Sequence, residues 1–203
     1  MMKKLSETKR EAILEAAARL FREVGFERAS MSEICARVGG SKATLYNYFP
    51  SKAVLFFEVM LKKTEPDLDA AYAVLDPETK DVAATLRRYG EKVIGLAYSS
   101  EILAARRLSY AEAGRFDIGR KIYEGACARA EARIAAFLGA AMRRGRLRKA
   151  DPRIAANHLL ALLEAELLQR VLYHMLDALD PKAIRGIVRR AIAVFMGGYG
   201  AGK

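Results

Sequence analysis

The side chains best suited to chemistry crowd into one short stretch, ASMSEICARVGGSKATLYNYFPSK, residues 29–52. Lys42, Thr44, Tyr46, Asn47 and Tyr48 supply an ammonium, a hydroxyl, two phenols and an amide. These groups suit contact rather than bond making. Amide and ammonium match adenine and guanine edges in a major groove, and hydroxyls match phosphate oxygens. Asn47 and Lys42 are therefore the expected base readers. Ser30, Ser32 and Lys52 stand at expected helix starts, where backbone N–H groups favour anions, and are expected to anchor phosphates. Ser41 and Ala43 complete the expected DNA-contacting surface, Ala43 with a methyl that could meet a thymine methyl. The competing reading is an ordinary helical hairpin in a core. Against it, the outward positions carry two tyrosines instead of the glutamates and lysines of a solvated face.

No catalytic constellation accompanies this stretch. His158 and His174 lie too far apart along one expected helix to share a metal, and no Cys/His cluster joins them. No Gly-rich phosphate loop, GxSxG elbow or paired nucleophile and base is present. No enzyme activity, metal or cofactor is expected.

The elements that must hold the contact residues follow from local chemistry. Ser30 and Glu33 fit a capping box that starts a helix with Ile34 and Val38 on its inner side. Gly39 and Gly40 can take the left-handed conformation that ends it, and Ser41 caps a second helix whose Leu45 and Phe49 share a face. Two short helices across a glycine turn make a helix-turn-helix over residues 30–49, with the second helix entering the major groove.

Residues 9–56 resemble the N-terminal domain of the tetracycline-repressor (TetR/AcrR-type) family of bacterial transcription regulators. The resemblance rests on Ile13, Leu14, Ala16, Ala17, Leu20 and Phe21 in the opening helix, then Gly25–Phe26, Ser30, Ile34–Cys35 and the run Ser41 to Lys52. Three positions depart from the family pattern. Cys35 replaces an alanine, Gly40 a valine whose loss is expected to cost about 1 kcal/mol in a missing core contact, and Ala43 a glycine, which puts inherited base preference in doubt. The resemblance implies a homodimer, formed when the last two helices pair with their symmetry mates, and a small-molecule effector that shifts the fourth helix. Residues 108–124 and 144–147 also resemble one C-terminal subgroup of the family.

Composition agrees. The chain has 203 residues, 52% of them hydrophobic, with only 5 prolines, as an all-α protein with a substantial core should. Its 35 basic and 24 acidic side chains give a net charge of +11, which favours a polyanionic partner, although the excess is spread along the chain. Cys35 and Cys127 are expected to be reduced thiols. With no signal-peptide pattern and no long apolar run, a cytoplasmic protein without a membrane partner is expected.

About nine helices are expected, divided into a DNA-binding domain at residues 7–67 and an effector-binding and dimerisation domain at 68–203. The expected seventh helix covers about 117–144, the eighth about 152–176 and the ninth about 181–196. Residues 159–176, LLALLEAELLQRVLYHML, are apolar on more than one face, which demands either a large core or a second chain. The expected dimer interface is Leu159, Leu163, Leu167 and Val171 with Ile184, Val188, Ile192 and Phe195. An effector cavity is expected from Tyr89, Tyr98, Leu103, Arg107, Tyr110, Phe116, Tyr123 and Cys127, with Leu162 and Glu166 reaching in. The functional expectation is a dimeric regulator, most simply a repressor released from a palindromic operator by a small apolar or amphipathic effector. An activator of the same family, or a helical small-molecule carrier or enzyme with a vestigial DNA-binding domain, is the alternative.

Overall fold

The computed structural model describes residues 6–115, 118–176 and 179–202. Its helices are α1 (Glu7–Arg28), α2 (Met31–Val38), α3 (Lys42–Tyr48), α4 (Lys52–Tyr72), α5 (Val82–Ala97), α6 (Ser100–Glu112), α7 (Ile118–Ile122), α8 (Ala128–Arg143), α9 (Pro152–Glu164), α10 (Leu168–Leu172) and α11 (Pro181–Tyr199). A π-helical turn, Tyr123–Cys127, joins α7 to α8, and an isolated antiparallel bridge pairs Leu147 with Gly200. The protein is all-α. Two compact units divide the chain: Met1–Lys63 with Ala105–Ile122, and Thr64–Ala104 with Tyr123–Lys203.

The first unit is built on the apolar stripe of α1. Ile13, Leu14, Ala17, Leu20 and Phe21 pack with Ile34, Leu45, Phe49, Val54, Leu55 and Val59, all of them buried. Phe21, Phe26 and Phe56 close one end, with Phe21 edge-on to Phe56 at 5.1 Å between ring centroids. Gly25 interrupts α1 at φ 78°, a conformation that an L side chain rarely adopts. The chain can therefore turn before Ala29 enters the core.

In the second unit α5, α8, α9 and α11 surround one core that includes Leu86, Tyr89, Ile94, Leu138, Leu159, Leu163 and Phe195. Gly90 lets α5 approach closely: a Cβ there would lie 2.9 Å from Val188 Cγ1 and 3.0 Å from Leu163 Cδ2. Asp81, Asp151 and Asp180 cap α5, α9 and α11 through their carboxylates, the last two ahead of a proline at the first helical position. The basic run after α8 fastens this unit together. Arg144 pairs with Glu78, Arg146 donates to the Thr79 carbonyl and Arg148 to the Gly198 carbonyl.

Two expectations change here. The expected seventh helix is α7, a π turn and α8, and the expected eighth is α9 and α10. Between the latter two, Ala165 N–H turns back to the Leu162 carbonyl and Leu167 N–H to that of Glu164, tightening the backbone without any Gly or Pro. The second change concerns the expected dimer interface. Leu159, Leu163, Leu167, Val171, Val188, Ile192 and Phe195 are each at most 1% exposed, enclosed by their own chain, and Ile184 packs against the same core. Those side chains cannot also form a surface. The helices keep other, outward faces: Ile154, Asn157 and Ala161 on α9, continued by Ala165 just after it, and Ala193, Val194, Gly197 and Gly198 on α11.

Candidate DNA-reading site

Two caps set the geometry of the helix-turn-helix. Ser30 Oγ accepts from Glu33 N–H at 3.1 Å while Glu33 Oε2 accepts from Ser30 N–H at 3.2 Å, the reciprocal pair that its spacing calls for. Ser41 Oγ accepts from Thr44 N–H at 3.1 Å and lies 2.9 Å from Thr44 Oγ1. Both serine hydroxyls thus serve the helix starts, and Thr44, half-buried, is tied to Ser41.

The turn between the helices explains two of the family departures. Gly39 and Gly40 have φ of 71° and 119°. The second value alone disfavours any L residue at position 40, so a valine in this backbone would be strained. The space there is small, a void of about 10 Å³ lined by Ile13, Cys35, Val38 and Leu45 among others. A Cβ at Gly40 would meet only Lys9 Nζ, at 3.8 Å, and the Cys35 thiol lies 3.3 Å from the Gly40 carbonyl. Lys9 completes the turn by donating to the carbonyls of Gly39 at 2.7 Å and Val38 at 3.2 Å. A cation at a helix C-terminus complements the dipole there. The expected core defect at Gly40 is therefore largely absent. Lys9 carried no sequence signal for this role, since the contact spans about thirty positions of the chain.

The outward face of α3 holds Lys42, Ala43, Tyr46 and Asn47, all exposed, while Leu45 and Phe49 are buried beneath it. Tyr46 is 47% exposed, a large aromatic ring open to solvent. Ser32 is exposed in the first turn of α2. Tyr48 is held differently: its hydroxyl accepts from Ser6 N–H at 2.8 Å and donates to the Ser6 carbonyl at 3.2 Å. It joins the end of α3 to the start of α1. Lys52 is turned inward as well. Its ammonium donates to the carbonyls of Phe26, Glu27 and Ala29 and lies 4.2 Å from the Phe26 ring centroid. All three of its donors are engaged, which leaves it a positioning role in place of the expected phosphate contact. Arg37 and Glu23 brace α2 against α1 at 2.6 Å. The hydrogen bond from Arg37 holds the Glu23 carboxyl below its ordinary range.

The residues expected to form an effector cavity are dispersed. Tyr89, Tyr98 and Leu103 fill the core of the second unit, and Leu162 packs partly against it. Burial raises the Tyr89 phenol far above its ordinary range. Arg107 and Tyr110 belong to the first unit, with Tyr110 43% exposed. Tyr123 is exposed and donates to Glu131, and Cys127 is exposed. Glu166 accepts a bidentate pair from Arg190 at 2.8 and 2.6 Å on the surface, so it does not reach into a cavity. Phe116 lies outside the described residues. Among the described residues, the two clearest concavities are lined by none of these ten. No group of three or more metal-ligating side chains occurs among them either, and no helix is long and apolar enough to cross a membrane.

Comparison with known proteins places this geometry. Residues 13–59 match the bacterial regulatory proteins of the tetR family, and residues 84–201 match the C-terminal domain of AefR-like transcriptional repressors. The chain is 28% identical to the nucleoid occlusion factor SlmA of Haemophilus influenzae over 171 residues, covering 75% of this chain and 70% of that one. The regulator UidR of Escherichia coli is 43% identical, but over 56 residues, 28% of this chain and 29% of its own. A putative TetR-family regulator from Mesorhizobium loti superimposes with a TM-score of 0.76 at 27% identity, covering 98% of this chain and all of the other. The flavonoid-responsive regulator FrrA superimposes at 0.65 with 29% identity, over 96% of this chain and 98% of its own. With reader and C-terminal half both matched, the chain belongs to the TetR family of DNA-binding bacterial transcriptional regulators.

Proposed function

We propose that the protein is a homodimeric repressor that binds a palindromic operator and leaves it when a small molecule binds the second unit. The observation that carries the reading is the outward face of α3, where Lys42, Tyr46 and Asn47 stand exposed on a helix fixed from below by Leu45 and at its start by Ser41. Lys42 and Asn47 read bases, Tyr46 and Ser32 meet phosphates, and Ala43 and Thr44 lie along the same contact. Ser30, Ser41, Tyr48 and Lys52 hold this surface in place. The reader domain is taken as residues 7–67 and the effector and dimerisation domain as 68–203.

Dimerisation uses the outward faces of α9 and α11 in place of their buried ones. His158 of α9 lies 2.6 Å from Tyr199, and Glu166, just past the end of α9, pairs with Arg190, so the two helices run antiparallel. Ala161 and Val194 then fall near the middle of an apolar surface of small residues, with Val194 60% exposed. A two-fold dimer places two copies of α3 about 34–36 Å apart, one helical turn of DNA.

Selection of bound sites from random duplex DNA, followed by sedimentation of the protein with the selected site, tests this. A single palindrome bound by two chains is expected. Enrichment of no sequence, or binding by one chain, overturns the reading.

A further inference from the structure

The second unit carries an open groove of about 370 Å³, within the size range of small-ligand sites, away from every residue assigned above. One face of α8 forms its floor, where Ala136, Phe137 and Ala140 recur at helical spacing. Tyr72 at the end of α4, with Leu75 and Pro77 just after it, forms the opposite wall. An arginine stands at each end of the floor, Arg133 and Arg143. Ten positions of helix separate them, about 15 Å along the axis.

Charge and shape together define what fits. Arg133 lies 5.2 Å from the Tyr72 ring centroid, and its one ion pair, with Asp69 at 3.9 Å, is loose and solvent-exposed. Arg143 makes no hydrogen bond or ion pair among the described residues, while its neighbour Arg144 is taken by Glu78. The Tyr72 and Phe137 rings and two alanine methyls between the arginines suit an apolar body. We propose that this groove is the effector site and that its ligand is a small organic anion with an elongated apolar body, a carboxylate at one of the arginines. The proposal rests on the ligand-responsive reading above. It gives that reading a physical route: Tyr72 ends α4, and the same helix begins at Lys52, directly behind the reader. A ligand that binds more tightly when Tyr72 is displaced shifts the population toward that state.

Decanoate serves as the probe on the full chain, with decylammonium as the charge-reversed control, and calorimetry reads binding without DNA. Decanoate should bind with one site per chain, and decylammonium at least tenfold more weakly. Arg133→Gln with Arg143→Gln should weaken decanoate at least tenfold. Ala136→Phe, a substitution at an exposed position, should block the groove while leaving the thermal midpoint unchanged. Equal binding of both probes, decanoate binding unaffected by these variants, or no decanoate binding at all overturns the proposal. Operator affinity is measured separately. A protein that binds its palindrome but ignores decanoate loses the groove and keeps the regulator assignment. One that binds decanoate but selects no DNA keeps the groove and loses that assignment.

Discussion

The α2–α3 pair of the reader and the α9–α11 pair of the larger unit are both helical hairpins in outline, yet their outward faces have opposite chemistry. On α3 the exposed residues include Lys42, Tyr46 and Asn47, whose donors need acceptors. α9 and α11 also expose charges such as Arg153 and Arg190, but they share exposed Ala161, Ala193, Val194 and Gly197, which ask only to leave water. Underneath, the order reverses. α3 buries little besides Leu45, and depends on its Ser41 cap and on a turn held by Lys9. α9 and α11 bury Leu159, Leu163, Val188, Ile192 and Phe195 completely. One surface is built for a polar, charged partner and held by hydrogen bonds; the other suits an apolar partner and is held by packing.

The comparison breaks most sharply if inner and outer faces are exchanged. Leu163→Glu places a carboxylate in a fully apolar core, a penalty of several kcal/mol against a typical total stability of about 5–15. It should abolish cooperative thermal unfolding by circular dichroism. Val194→Glu should leave the thermal midpoint of the fold near that of the parent and convert dimers to monomers in ultracentrifugation. The opposite pairing of outcomes would falsify the assignment of faces.

In the reader, the contrast lies between residues that touch DNA and residues that hold others in place. Asn47→Ala and Lys42→Ala should each weaken operator binding by about 1–3 kcal/mol, at matched salt, with no change in thermal midpoint because both side chains are exposed. Lys52→Met leaves three carbonyls without their charged donor and should lower stability by about 1.5–3 kcal/mol. Fluorescence anisotropy and calorimetry on the same samples separate the two classes. A Lys52→Met protein with unaltered stability and weakened DNA binding would return that lysine to the phosphate-contacting set.

Two glycines on α5 sharpen the packing side. Alanine gains about 1 kcal/mol over glycine in a helix, but overpacking costs about 1–3. At Gly90 the new methyl meets Val188 at 2.9 Å and Leu163 at 3.0 Å, and Val188 has no flexible end to yield, so the steric loss wins. At Gly95 the nearest atom, Ile184 Cδ1, is 3.8 Å away, so the propensity gain stands. Gly90→Ala should lower the thermal midpoint and Gly95→Ala should raise it.

What the sequence made legible follows the same division. Ser30 with Glu33, Ser41, and Asp151 and Asp180 before prolines are signals within four residues, and each forms the cap its spacing predicts. The holding roles of Lys52 and Lys9 have no such local signal, because their partners lie more than twenty positions away. The apolar residues of α9 and α11 were recognised as buried, but periodicity does not say whether the covering atoms come from the same chain. The break between α9 and α10 was invisible because tightened backbone bonds at Ala165 and Leu167, with no Gly or Pro, produce it. The effector residues were chosen by type, and most of those types are accounted for by core packing or surface pairs.

His174 is a smaller test of backbone over side chain. It follows α10 at φ 55°, with its N–H on the Val171 carbonyl and the Met175 N–H on that of Arg170. That is a Schellman ending with a non-glycine residue in the left-handed position. The same ending after α8 uses Gly145 at φ 69°. His174→Gly should therefore stabilise by about 0.5–1 kcal/mol, less than the full left-handed penalty because glycine also loosens the unfolded chain. An unchanged or lowered midpoint would show that the imidazole itself contributes.

The smallest expected effect compares two of the surface ion pairs, one from each unit. Glu23 is held below its ordinary range by the hydrogen bond from Arg37, and Glu166 by that from Arg190, with burial opposing in both. A carboxyl whose folded pKa is lowered adds stability above its unfolded value, near 4.5, and loses it as pH falls through the lower folded value. Both pairs are exposed, so solvent and salt screen them heavily. Glu23→Gln and Glu166→Gln should each lower stability slightly at neutral pH, and the difference from the parent should shrink as pH falls below about 4.5, flattening the acid side of the curve. Denaturant melts from pH 3 to 7 read the slope. Because Glu166–Arg190 ties the turn after α9 to α11 beside the proposed dimer surface, its variant should also change the dimer constant, whereas Glu23→Gln should not. Equal dimer constants for the two variants would place the Glu166–Arg190 pair outside that interface.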